Sequence, residues 1–188
     1  MSLRTKTSTR FGLQEGGASA VEFALVAPIY MLLFVAVVDL SMAMYSKFSL
    51  NGSVSAAANY TILNASQVGS TSGATLAQNL ALIVADAHAS NWANATITVN
   101  DGPVATLSGG VVTTSGTASS ANSCYCPTGS GSNITWGSAM TCGATCTGGG
   151  VAGKFVSIVA TNQYTSLFGA TGIIPSQTFT TSTVVETN

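Results

Sequence analysis

The apolar run from Phe23 to Val38, closed at its two ends by Glu22 and Asp39, constrains this chain more than any other feature. Between Ala18 and Tyr45 those two acids are the only ionisable side chains apart from Tyr30 and Tyr45. The stretch is long enough to cross roughly 30 Å of hydrocarbon, so it reads as one membrane-spanning helix. Only 6 % of all residues are charged, against about 25 % in an ordinary soluble protein. Arg4, Lys6 and Arg10 precede the run, whereas residues 48 to 188 hold only Lys154, Asp86, Asp101 and Glu186. A basic N-terminal flank stays in the cytoplasm, which exports everything after the run. Nothing in this distribution makes a nucleic-acid-binding surface.

A secretory signal peptide shares the order basic segment, apolar segment, small residues. Here the small residues, Gly16 to Ala20, precede the apolar run, and no convincing A-x-A site lies just after it. Processing is therefore expected on the cytoplasmic side. Beyond the membrane, Ser46 to Asn64 keeps helix-compatible residues, with Asn51-Gly52 as a point where the helix bends or stops. After a polar turn at 69–75, Leu76, Leu80, Ile83, Val84 and Ala87 fall on one face of a second helix.

The pattern then changes to period two. "ATITVN" (95–100) and residues 104–107, joined by Asp101-Gly102-Pro103, read as paired strands. "KFVSIVATNQY" (154–164) is the strongest strand signal, and a last strand lies within 176–186 after a turn at Gly172–Pro175. The expected class is α+β: a long N-terminal transmembrane helix, then a helix and a small antiparallel sheet with pinned loops.

The pins are Cys124, Cys126, Cys142 and Cys146, clustered in the otherwise irregular stretch 108–150. An even count in an exported segment argues for two disulfides, with a four-thiolate zinc site as the rival reading. Three connectivities are open, a Cys124–Cys126 bridge being the most strained.

Enzyme motifs are not apparent. His88 is the only histidine, Asp86 and Asp101 form no paired-carboxylate arrangement, and "TGGGVAGK" (147–154) lacks the Ser or Thr of a phosphate-binding loop and precedes a strand. No cofactor is expected. Trp92 and Trp136 read as packing anchors, and the Asn-x-Ser/Thr triplets at Asn64, Asn94 and Asn133 as products of a Ser/Thr/Asn-rich composition.

Glu22 poses the chemical question. A carboxylate well inside a bilayer costs about 2.5 to 3.5 kcal/mol, less near the interface, and such groups usually have partners. Cleavage between Gly17 and Ala18 would make Glu22 the fifth residue and set a new α-amine one helical turn away. The competing account is a carboxylate favoured by the dipole at a helix N-terminus. Glycine, four small or apolar residues, then Glu22-Phe23 and a long apolar helix resemble the prepilin cleavage motif. "GASAVEFALVAPIYMLLFVAVVDL" resembles the N-terminus of TadE-like pseudopilins of the tight-adherence (Tad or Flp) pilus system, where a second acid, matched by Asp39, ends the helix. "CYCP", "CGATC", "FVSIVATNQYTSLF" and the Thr-rich C-terminus resemble that family more loosely, and Gly16 departs from the basic residue often found before the scissile glycine.

The resemblance implies a leader at 1–17, a transmembrane helix at 18–46 and an exported domain at 47–188 with its cysteine-rich loop at 124–146. It implies an inner-membrane protein that is not an enzyme. Its partners would be a prepilin peptidase, other pilin and pseudopilin subunits, and a membrane assembly platform. An uncleaved, membrane-anchored binding module is the alternative.

Overall fold

A computed structural model describes residues 16–88, 91–168 and 175–187. The expected leader, apart from Gly16 and Gly17, and most of the Gly172–Pro175 turn lie outside the described residues. Helix α1 spans Gly16–Leu63, a length of roughly 70 Å. Its first half is apolar all round and exposed: Phe23, Leu25, Ile29, Met31, Leu33, Phe34 and Val37 are all solvent-facing in the isolated chain. Pro28 lies inside this half and removes one rung of the helical ladder.

The second half of α1 is a core helix. Ala43, Leu50, Val54 and Ala57 are buried against the rest of the chain. Asn51-Gly52 does not stop the helix: the buried stripe formed by Leu50, Val54 and Ala57 runs through it, and the Thr181 hydroxyl donates to Asn51 Oδ1. Tertiary burial here outweighs the modest cost of one helical glycine, about 1 kcal/mol. Helix α2 (Gly73–Ala85) buries Leu76, Leu80 and Val84 beside it, as its periodicity predicts, together with Ala77 and Ala81; Ile83 is only half-buried, and Ala87, expected on the same face, is exposed beyond the end of the helix.

Five antiparallel strands follow in the spatial order β3-β2-β1-β6-β7: β1 (Asn94–Val99), β2 (Val104–Ser108), β3 (Val111–Ser115), β6 (Phe155–Tyr164) and β7 (Gln177–Glu186). Both helices pack on one face, where Ile97, Val99, Leu107, Val156 and Ile158 meet Leu50, Leu76, Leu80 and Val84. Fully burying each such side chain contributes about 1.5 to 3 kcal/mol. The architecture is α+β.

The β1–β2 connection is a tight turn with positive φ at Asn100 (52°) and Asp101 (55°), the type I′ geometry that suits the twist of a hairpin. Asn100 is wholly buried, and its amide donates to the carbonyls of Ala121 and Ser123 while its Oδ1 accepts from the Phe155 amide. One side chain thus ties a turn, a loop and the start of β6 together.

The stretch 108–150 is more ordered than its composition suggests. It contains β3, a short 3-10 helix at Ala118–Asn122, and a hairpin of β4 (Thr128–Ser130) and β5 (Asn133–Thr135). Two interleaved disulfides, Cys124–Cys142 and Cys126–Cys146, hold the base of that hairpin and choose one of the three possible pairings. The four thiols are consumed, which removes the zinc alternative.

Candidate functional site

The residues of the sequence motif lie at the free end of α1. The Gly17–Ala18 bond falls in the first turn of the helix, and Gly17 is exposed. A Cβ built on Gly17 meets nothing within 4 Å, so the fold itself does not require glycine there. Glu22 is exposed and has no hydrogen-bond or ion-pair partner among the described residues, while the neighbouring Phe23 is 74 % exposed. Among the described residues the motif has no partner, and it is presented on the exposed, N-terminal half of α1.

Asp39 is the opposite case. It is wholly buried, although it sits in the segment read as membrane-spanning. The Tyr164 hydroxyl donates to its carboxylate and lies 2.9 Å from its backbone carbonyl; the Ser166 hydroxyl donates to Oδ2 at 2.9 Å and the Leu167 amide to Oδ1 at 3.2 Å. Hydrogen bonds to a charged acceptor are the stronger kind, about 1.5 to 3 kcal/mol each. The acid that ends the apolar run is therefore the point at which the end of β6 is fastened to α1. Tyr164 is nearly buried there, and its phenol is pushed up to about 12, first by burial and then by the hydrogen bond and charge of Asp39. Sequence reading found Asp39 but not its receptors: Tyr164 and Ser166 lie 125 and 127 residues downstream, and nothing in "QYTSLF" announces them.

The remaining candidates are dispersed. His88 Nε2 is hydrogen-bonded to Ser49 Oγ, and the ring packs edge-on against Tyr45 and obliquely on Trp92. No carboxylate reaches His88 among the described residues, so the pair fastens the end of α2 to α1 rather than assembling a nucleophile with an oriented base. Lys154 donates to the Val68 carbonyl at 3.0 Å. Asn94 and Asn133 are exposed on strands, whereas Asn64 is half-buried and donates to Tyr60. No cluster of three or more His, Cys, Asp or Glu suited to a metal ion occurs among the described residues.

No curated protein and no solved structure matches the chain. Residues 17–59, which run from the exposed glycine to the buried stripe of α1, match the model of the family described as TadE-like protein, so this segment of the chain is similar to that family.

Proposed function

We propose that this chain is a pseudopilin or minor pilin of a Tad-type pilus. A prepilin peptidase removes residues 1–17. The exposed half of α1 anchors the subunit in the inner membrane, with its N-terminus cytoplasmic and its domain periplasmic, until it packs against the helices of other pilin-like subunits on the assembly platform. The TadE-like match supports a pilus-associated role, and one long apolar N-terminal helix is compatible with a single-pass anchor.

The observation that carries the reading is the asymmetry of α1. Its distal half folds against the sheet, while its proximal half presents an all-round apolar surface and a Glu22 without a partner among the described residues. Acids in apolar surroundings are stabilised by partners, and the α-amine released at Ala18 of a neighbouring subunit is one of suitable charge. Gly17 strengthens the case, because a glycine the fold does not need suits the narrow cleft of a peptidase. The α+β domain of residues 47–188 suits a priming or minor subunit better than the bulk of a fibre.

The test is the intact mass and N-terminal sequence of the protein isolated from membranes of its native host. A terminus at Ala18 is the expected result. An intact leader in a host with a working peptidase would overturn it and leave the anchored binding module.

A further inference from the structure

The helices cover one face of the five-stranded sheet, and the other face holds a cleft. Thr96 and Thr98 of β1 pair in register with Val159 and Ser157 of β6, all four belonging to the outer face. The β4–β5 hairpin and Trp136 close over them, leaving a space of ≈ 250 Å³. That is just below the roughly 300 Å³ at which sites for drug-sized ligands begin, so the space suits a single ring and not an extended chain.

Three observations identify the ring. Ser157 is only 6 % exposed, lines the cleft, and has no hydrogen-bond partner among the described residues. Its hydroxyl opens onto the cleft, where it can donate to and accept from a ligand. The polar part of the lining consists of the hydroxyls of Thr96, Thr98, Ser132 and Ser157, each able to donate and accept, with no ionisable side chain among the lining residues. An anionic phosphate or a cation would find no counter-charge. Trp136 supplies a flat apolar wall, steadied by the edge of Tyr125 at 6.1 Å and bracketed in sequence by the two disulfides.

We propose that this cleft binds a neutral pyranose, with the carbon face of the ring on the Trp136 indole and its hydroxyls on Thr98 and Ser157. The disulfides then act as the frame of a binding site: they hold the Trp136 loop over a sheet that would otherwise offer only a flat row of hydroxyls. The assignment is independent of leader processing, since cleft and cleavage motif share no residue.

The test is saturation-transfer NMR on the full chain in phospholipid nanodiscs, free of sugar-headed detergent, with maltotriose, cellotriose and triacetylchitotriose as probes. These separate α-glucan, β-glucan and N-acetylated sources of the same ring chemistry. Transfer to ring protons of at least one probe is expected, with affinity falling about tenfold or more in Ser157→Ala and in Trp136→Ala. Ser157→Ala removes one oxygen without adding volume and decides the matter if Trp136→Ala disturbs the loop. Absence of transfer from all three probes at about 10 mM would overturn the proposal, as would binding unchanged in Ser157→Ala.

Discussion

Replacing Asp39 by alanine should loosen the domain from its helix at the end next to the exposed apolar half of α1. The substitution removes the acceptor of the Ser166 hydroxyl and the Leu167 amide, and leaves the Tyr164 hydroxyl with the Asp39 backbone carbonyl alone. Each buried donor left unmade costs about 1 to 3 kcal/mol, so two donors without an acceptor and a third that loses one of two together cost about 3 to 5 kcal/mol. For a domain of this size that is a fall in melting temperature of roughly 10 to 20 °C. Asp39→Asn, which keeps one acceptor oxygen and the shape, should lose about 1 to 2 kcal/mol.

The network also gives a pH signature. Tyr164 has its folded pKa raised from 10.0 to about 12, so it holds its proton more tightly in the fold than in the unfolded chain. The associated stability is complete below pH 10 and is lost as the pH climbs from 10 towards about 12. In Asp39→Ala two of the three causes vanish and only burial remains, so the Tyr164 titration should move down. Thermal unfolding in nanodiscs, hydrogen exchange at the Leu167 amide and ultraviolet titration of tyrosinate read these effects together. An Asp39→Ala protein with unaltered melting temperature and unaltered Leu167 exchange would refute the reasoning.

Glu22→Ala should insert into membranes normally yet impair pilus assembly, scored by surface pili in a complemented deletion strain. Pili at normal density would remove the main support for intersubunit pairing. Gly17→Leu should leave unfolding unchanged, since the position is open, but abolish leader removal on an immunoblot. Gly116→Ala should destabilise by about 2 kcal/mol or more, because φ is +85° and the new Cβ would stand 2.2 Å from the Gly102 carbonyl oxygen; denaturant unfolding checks it. Replacing Cys126 and Cys146 together by serine should cost about 3 kcal/mol by the same assay, while the Cys124–Cys142 bridge still forms, as peptide mapping would show.

What could be read from the sequence was what is written in local periodicity. The α2 face, the 95–107 hairpin and β6 each bury alternate or helically spaced side chains, so composition and contact coincide. Strand β3 was not expected because "VVTTS" forms an edge of the sheet with little burial on either face and hence no alternation to detect. β4 and β5 have three residues each, too few for any period. The cleavage motif and Asp39 were visible as residues, but the Tyr164–Ser166–Leu167 receptor arises only when the end of β6 returns to α1. The sugar-sized cleft was equally hidden: Trp136 and Ser157 gain a common purpose only through sheet register and the disulfide-held loop.

The continuity of α1 across Asp39 makes the molecule a shaft with a keyed head. Each helical residue advances the azimuth by about 100°, so Glu22 points about a quarter turn around the axis from the face that carries the domain. The bearing of the α+β head is thus locked to that of Glu22. One residue inserted between Phe34 and Val35 would swing Glu22 by about 100° relative to the sheet while leaving both halves intact. A lattice of such subunits that seats Glu22 in one place thereby fixes the compass direction in which every Trp136 cleft faces.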